Sequence, residues 1–277
     1  MTIDVAPAAV VTDQAATVPS RILAGGPLAI SVLAPIGFGV IFLGAWQLLV
    51  VGLQIEPYVV PSPLAIAAEF GANLGSVVSG AARTGLNALI GLVVGTVLGV
   101  LGAVLANAIR NVDGMLAPVV AAGSVMPIVA LAPVLYTMYG ADVETARQLV
   151  AGLAALIPVY VNTLRGLRQV RPVHRDLMTA YAATARQQAV NVTLPTAAPY
   201  VFTGLRVASS LAVISALVAE YFGGPVSGLG KSITSAASSS NYPLAWAYVL
   251  GAILLGLIFY GATLAVETWF TRHQRPT

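Results

Sequence analysis

The chain has 277 residues, 58% hydrophobic and only 8% charged, with a mean hydropathy of +0.88. A soluble domain is about 25% charged, so this is the composition of a membrane protein. Bases exceed acids by only 13 to 10 and are scattered over several loops, which excludes a nucleic-acid binder; the absence of cysteine excludes disulfides, thiolate metal sites and cysteine nucleophiles.

The only imidazoles are His174 and His273, both in segments expected on the cytosolic side, so no metal centre is expected. Asp4 and Asp13 precede the first base, Arg21, which is not the charge order of a cleavable signal peptide. Residues 1–27, rich in Ala, Val, Thr and Pro, are expected to be a disordered cytosolic tail with little to pack.

A hydrocarbon core about 30 Å thick takes about 20 helical residues to cross. The first stretch of that length runs from about Leu28 to Leu53. The following segment, to about Gly80, is too polar and Pro-broken to span, but Ile66, Phe70, Leu74, Val77 and Val78 recur at three- and four-residue steps. That spacing predicts an external amphipathic helix lying along the interface. The second span, about Leu86 to Ile109, carries Gly91, Gly95 and Gly99 on one stripe, read as a close helix–helix contact in preference to a stripe lining a conduit.

After a tight cytosolic turn holding Arg110 and Asp113, the third span runs from about Met115 to Tyr139, interrupted by Pro127 and Pro133. The acidic stretch ADVETAR is expected outside. The fourth span is about Leu149 to Leu164, with a helix able to start near Glu144 and a bend at Pro158. Ser124, Tyr136, Tyr139 and Asn162 lie near the proline breaks. Two readings stay open: an interfacial tyrosine belt with Asn162 bonding to a neighbouring helix, or a set of pathway residues around carbonyls freed by proline.

The arginine-rich interval 165–199 follows, then the fifth span, about Tyr200 to Phe222. Glu220, at the far end of that span, is a candidate pathway or gate residue by its depth, or an acid that simply reaches water at the helix end. GGPVSGLGKSITSAASSSNYP is expected to be an external Gly/Ser-rich connection. It is no P-loop, because the first Gly would have to stand where Pro225 is. The sixth span, about Leu244 to Phe270, ends in a short cytosolic tail, 271–277. With both termini inside, Arg21, Arg110, Arg165, Arg168, Arg171, Arg175, Arg186, Arg272 and Arg275 all face the cytosol. Only Arg83, Arg147 and Lys231 face out, as the positive-inside tendency requires. No internal repeat is evident, and no nucleotide-hydrolysing or paired-carboxylate arrangement either.

Within the basic interval, Asp176 to Pro195 reads D-L-M-x3-A-x9-V-x-L-P. This resembles the cytoplasmic E-A-A-x3-G-x9-I-x-L-P loop of binding-protein-dependent ABC-importer permeases. Asp176 stands at the Glu position, Leu177 and Met178 at the two Ala positions, and Ala182 at the Gly position; Leu194 and Pro195 match outright. The segments VPSPLAIAAEF, VMPIVALAPVLYTMYG, PYVFTGLRVASSLAVISALVAEYFGG and SGLGKSI are similar to the nitrate, sulfonate, taurine and hydroxymethylpyrimidine branch, over about Leu28 to Phe270.

The resemblance implies an all-α, six-span membrane domain (28–270) of the type I importer, or MetI-like, permease fold, in the plasma membrane of a bacterium. It implies a second permease chain, identical or related, a cytosolic ABC ATPase dimer holding ATP and Mg, and an external solute-binding protein. The chain itself would be no enzyme and hold no cofactor. The loop would be a coupling helix. Leu177, Met178 and Tyr181 would offer an apolar face to a groove on the ATPase, with Arg175 and Arg186 beside it to meet acids. Pro195 and Pro199 are expected to stop the helix before the fifth span. Alanine at 182 disfavours a left-handed turn, which leaves a continuous helix open as the alternative, and Asp176 reaches one methylene less than glutamate. A stand-alone secondary transporter or channel is the rival reading; it would need an ion-coupling acid, for which only Glu220 comes near.

Overall fold

The computed structural model describes residues 27–140, 143–223 and 228–271. The expected tails, apart from Pro27 and Thr271, lie outside the described residues, as do residues 141–142 and 224–227. Every regular element among the described residues is helical. The chain divides into a unit covering 1–45 and a larger one covering 46–277.

Helix α1 (Pro27–Gly52) is apolar around its whole circumference, and in the first unit Ile36, Phe38, Val40, Ile41 and Phe42 are all exposed. A helix apolar on every face belongs in lipid.

The second unit is built around α6 (Thr145–Leu167), which packs along α3 (Leu74–Ala108) on one side and α9 (Leu194–Phe222) on the other. Small residues make both contacts close, as expected where lipid offers no hydrophobic drive between helices. A Cβ at Gly91 would stand 2.6 Å from that of Ala151, and one at Gly99 would stand 2.9 Å from the Leu156 carbonyl. At Gly95 it would run into the Gly152 carbonyl oxygen. The glycine stripe is thus a helix–helix seam. On the other side of α6, Gly204 of α9 lies against Pro158 and Val159. Helix α11 (Tyr242–Thr271) closes the unit against α9, joined to it by the ion pair of Arg206 with Glu267.

Among the described residues five helices are long and apolar enough to cross a membrane, and a sixth crossing results if α4 (Arg110–Val125) and the segment Ile128–Tyr139 form one span. That pair bends by 91° at Met126–Pro127, then continues as a 3-10 turn (Ile128–Leu131) and α5 (Ala132–Tyr139). The stretch expected as the third span is therefore not one straight helix. Pro118 sits inside α4 without ending it.

Several sequence expectations are corrected. The amphipathic helix α2 (Pro63–Ala72) stops at Asn73, whose amide caps Glu69; Leu74, Val77 and Val78 belong to α3, which is a full three turns longer at this end than hydropathy alone predicts. Arg110 and Asp113 lie in the first turn of α4, since one extended residue, Ile109, makes the corner. The Gly/Ser connection contains a helix, α10 (Leu229–Ser238), which packs on α9 and α11. Pro195 and Pro199 do not stop the chain's helix. Pro195 lies in the first turn of α9, and Pro199 is carried inside it. A π turn (Ala189–Thr193) joins α9 to the helix before it, and the Thr203 hydroxyl donates to the Pro199 carbonyl at 2.9 Å.

Candidate functional site

The two ends of α6 carry two different sites. From Arg147 to Leu167 is about 30 Å along the helix axis.

At the C-terminal end, the chain turns back through a helical hairpin, α7 (Pro172–Ala180) and α8 (Ala185–Gln188). Pro172 opens α7 at a position where its missing N–H costs nothing. The Ala183 amide donates to the Met178 carbonyl and the Ala182 amide to that of Thr179, both at 2.9 Å. That is the paired closure of a Schellman cap, whose pivot must be left-handed. Ala182 occupies the pivot with φ +49°. The turn is therefore kept despite the missing glycine, and the continuous-helix alternative is set aside. Thr184 then starts α8 with a capping box, its hydroxyl accepting from the Gln187 amide while its own amide donates to the Gln187 side chain.

On this hairpin Arg175, Asp176, Leu177, Tyr181, Ala182 and Arg186 are exposed, Tyr181 to 77%. Met178 is half-buried. Leu177, Met178, Val192 and Pro195 line one groove of about 300 Å³ between α7 and the start of α9, beside the exposed Leu194. The structure thus gathers the sequence-predicted coupling residues into one outward-facing unit.

At the N-terminal end of α6 lies a buried polar cluster. Glu220 does not reach water: it is 1% exposed. Its Oε2 accepts from the Thr84 hydroxyl and from the Gly230 amide, each at 2.9 Å. Thr84 Oγ1 in turn accepts from the Leu229 amide at 2.9 Å. One threonine and one acid therefore tie the start of α10 to α3 and α9. Glycines at 228 and 230 make room, since a Cβ at either would collide with α9 or with Glu220 itself.

Arg147, also 1% exposed, pairs with Glu144 and donates to the Gly223 carbonyl at 3.3 Å, holding the end of α9. Glu144 accepts from Asn87 at 2.7 Å, and Gln148 donates to Asn87 at 3.1 Å, which links α6 to α3. The Arg147 guanidinium lies 5.8 Å from the Tyr136 ring centroid, and the Tyr136 hydroxyl donates to the Ala219 carbonyl at 2.9 Å. Elements α3, α5, α6, α9 and α10 are joined by this one network.

Of the four predicted pathway residues, Tyr136 and Glu220 meet here. Ser124 and Asn162 do not: each bonds within its own helix, Ser124 to the Val120 carbonyl and Asn162 to that of Pro158, both at 2.8 Å. Asn162 is thus no bridge between helices. Thr84, Asn87, Glu144 and Arg147 were not singled out by the sequence. Arg147 looked like part of an external loop, yet it lies on the α6 stripe of Val150, Ala151 and Ala154 once the helix is extended back to Thr145. No group of three or more metal-ligating side chains is found among the described residues.

Comparison with known proteins gives a consistent result. The family described as "Binding-protein-dependent transport system inner membrane component" matches residues 91–272. The formylaminopyrimidine transport permease protein ThiX of Halalkalibacterium halodurans is 31% identical over 178 residues, 64% of this chain and 70% of the relative. The putative aliphatic sulfonates transport permease protein SsuC of Bacillus subtilis is 27% identical over 203 residues, 73% of each chain. Among solved structures, an amino acid ABC transporter crystallised with histidines matches with a TM-score of 0.57 at 13% identity, covering 73% of this chain and 95% of the other, a likeness of fold alone.

Proposed function

The chain belongs to the binding-protein-dependent transport system inner membrane components, the permease subunits of ABC importers, and from that premise we propose how it works. It pairs in the membrane with a second permease chain, a copy or a relative. The α7–α8 hairpin seats on a cytosolic ATPase dimer that holds ATP and Mg. An external binding protein delivers a small polar or anionic solute. Both termini face the cytosol.

The observation that carries this reading is the hairpin. Among the described residues Arg175 and Arg186 form no ion pair and Leu177 and Tyr181 lie exposed, while the backbone of the turn is fixed by a cap on each side. The π turn makes α8 continuous with α9, and α9 runs along α6 to the buried cluster. A push at α7 is therefore delivered along a helix, not lost in a loop. Protein interiors move as packed bodies, so such a push shifts the elements joined to α9 together. At the other end those elements are α10, held by Glu220, and α5, held through Tyr136. On this account Tyr136 and Glu220 belong to the outer gate of the solute path.

The test is co-expression with a candidate ABC ATPase subunit. Arg175→Glu with Arg186→Glu should abolish co-purification while leaving the membrane subunit folded; an intact complex would remove the docking role.

A further inference from the structure

A second set of groups near the hairpin end of α6 is not used by this mechanism. A cleft of about 370 Å³ opens between α4 and α6, with Asp113, Arg165 and Arg168 at its charged end and Val120, Val161 and Leu164 along its apolar wall. Arg168 pairs with Asp113 at 2.8 Å, and Arg165 is exposed. Deeper in, Tyr160 is 4% exposed, and its hydroxyl has no hydrogen-bond partner among the described residues. A buried phenol without an acceptor is costly unless something else supplies one.

The depths of these groups are set by the helix. Helix α6 has 23 residues, about 35 Å of rise against about 30 Å of hydrocarbon. Centred on the bilayer, such a helix would bring Arg165 of its last turn and Arg168 at its C-cap to the level of lipid phosphates. Tyr160 sits about 7 Å deeper than Arg165, at the level of the glycerol esters. The apolar wall continues from there towards the bilayer centre. Two arginines against one aspartate leave the mouth with a net positive charge.

We propose that this cleft is a binding site for an anionic phospholipid, with the phosphate between Arg165 and Arg168, an ester carbonyl accepting from Tyr160, and an acyl chain on Val120, Val161 and Leu164. The vertical order of charge, phenol and apolar wall fits an amphiphile standing in the leaflet and not a small free anion, which would use the arginines alone. Basic pockets between spanning helices recognise lipid headgroups by this chemistry. The inference does not depend on the docking role of the hairpin.

The experiment is native mass spectrometry of the purified full-length chain, titrated with phosphatidylglycerol or phosphatidylcholine. Phosphatidylglycerol should bind in preference. Each arginine near the surface contributes about a fivefold factor, so Arg165→Gln with Arg168→Gln should weaken binding about 25-fold. Asp113→Asn should strengthen it, by removing a like charge from the mouth. Arg165→Lys with Arg168→Lys keeps the charge and should keep the preference. The proposal is overturned if the Gln pair retains full preference for phosphatidylglycerol. It is overturned equally if the Lys pair loses as much as the Gln pair, or if inorganic phosphate at the same concentration displaces the lipid.

Discussion

Replacing Thr84 by valine tests whether the buried cluster holds the outer segment in place. Valine has nearly the shape of threonine, so no cavity forms and only the hydroxyl is lost. Thr84, Leu229 and Glu220 are all essentially fully buried, so water cannot substitute. The Leu229 amide would be left without its acceptor, at a cost of about 1 to 3 kcal/mol, and the Glu220 carboxyl would lose one of its two donors, worth about 1 kcal/mol. Together these give about 3 kcal/mol against the docked position of α10. Local opening should be reported by amide hydrogen exchange, with Leu229 and Gly230 exchanging on the order of a hundredfold faster. Thr84→Ser keeps the hydroxyl and should change exchange by less than about tenfold. Unchanged protection at Leu229 in the valine variant, or a serine variant as damaged as the valine one, would refute the reasoning.

Four further outcomes follow from single positions. Ala182→Gly relieves a left-handed alanine, a strain of about 1 to 2 kcal/mol partly offset by the greater freedom of glycine in the unfolded chain. It should tighten the hairpin by about 0.5 to 1 kcal/mol, seen as slower amide exchange at residues 182 and 183. Gly95→Val drives a side chain into the Gly152 carbonyl, a backbone group that cannot swing aside, and should destabilise by about 3 kcal/mol or more in a denaturant titration. Gly256→Ala, with nothing within 4 Å, should stay within about 1 kcal/mol of the parent. Glu220→Gln keeps an acceptor for Thr84 and Gly230 but changes the charge beside the α10 amides. It should leave ATPase co-purification intact while lowering solute uptake at least tenfold; full uptake would remove Glu220 from the gate.

The sequence made the membrane crossings legible because twenty apolar residues in a row have few alternatives, and α1 and α11 begin and end within about two residues of where hydropathy puts them, whereas α6 and α9 begin about four and six residues earlier. The loop was legible through the resemblance of Asp176 to Pro195 to the permease family's pattern, which left open whether its helix turns at Ala182. Proline was the weaker guide. Pro127 marks the 91° break, but Pro118, Pro158 and Pro199 all sit inside helices. The Pro158 and Pro199 carbonyls accept from the Asn162 and Thr203 side chains one turn on, and a π turn precedes Pro195, local adjustments that single-residue rules do not encode. The buried cluster was half legible. Glu220 stood out because an acid at membrane depth is rare, whereas its partner Thr84 looks like any polar residue of a spanning helix. Only tertiary contact with Glu220 of α9, 136 residues on, and with Leu229 of α10, 145 residues on, gives that hydroxyl its meaning.

The central claim is that the hairpin of this chain receives work from a separate ATPase. The most direct measurement is solute uptake into vesicles holding the permease pair, with and without the ATPase dimer, in the presence of the loaded binding protein and internal ATP. Uphill uptake is expected only with the ATPase present, and is expected to vanish when Arg175 and Arg186 are both changed to glutamate. Accumulation against a gradient by the permease chains alone would contradict it.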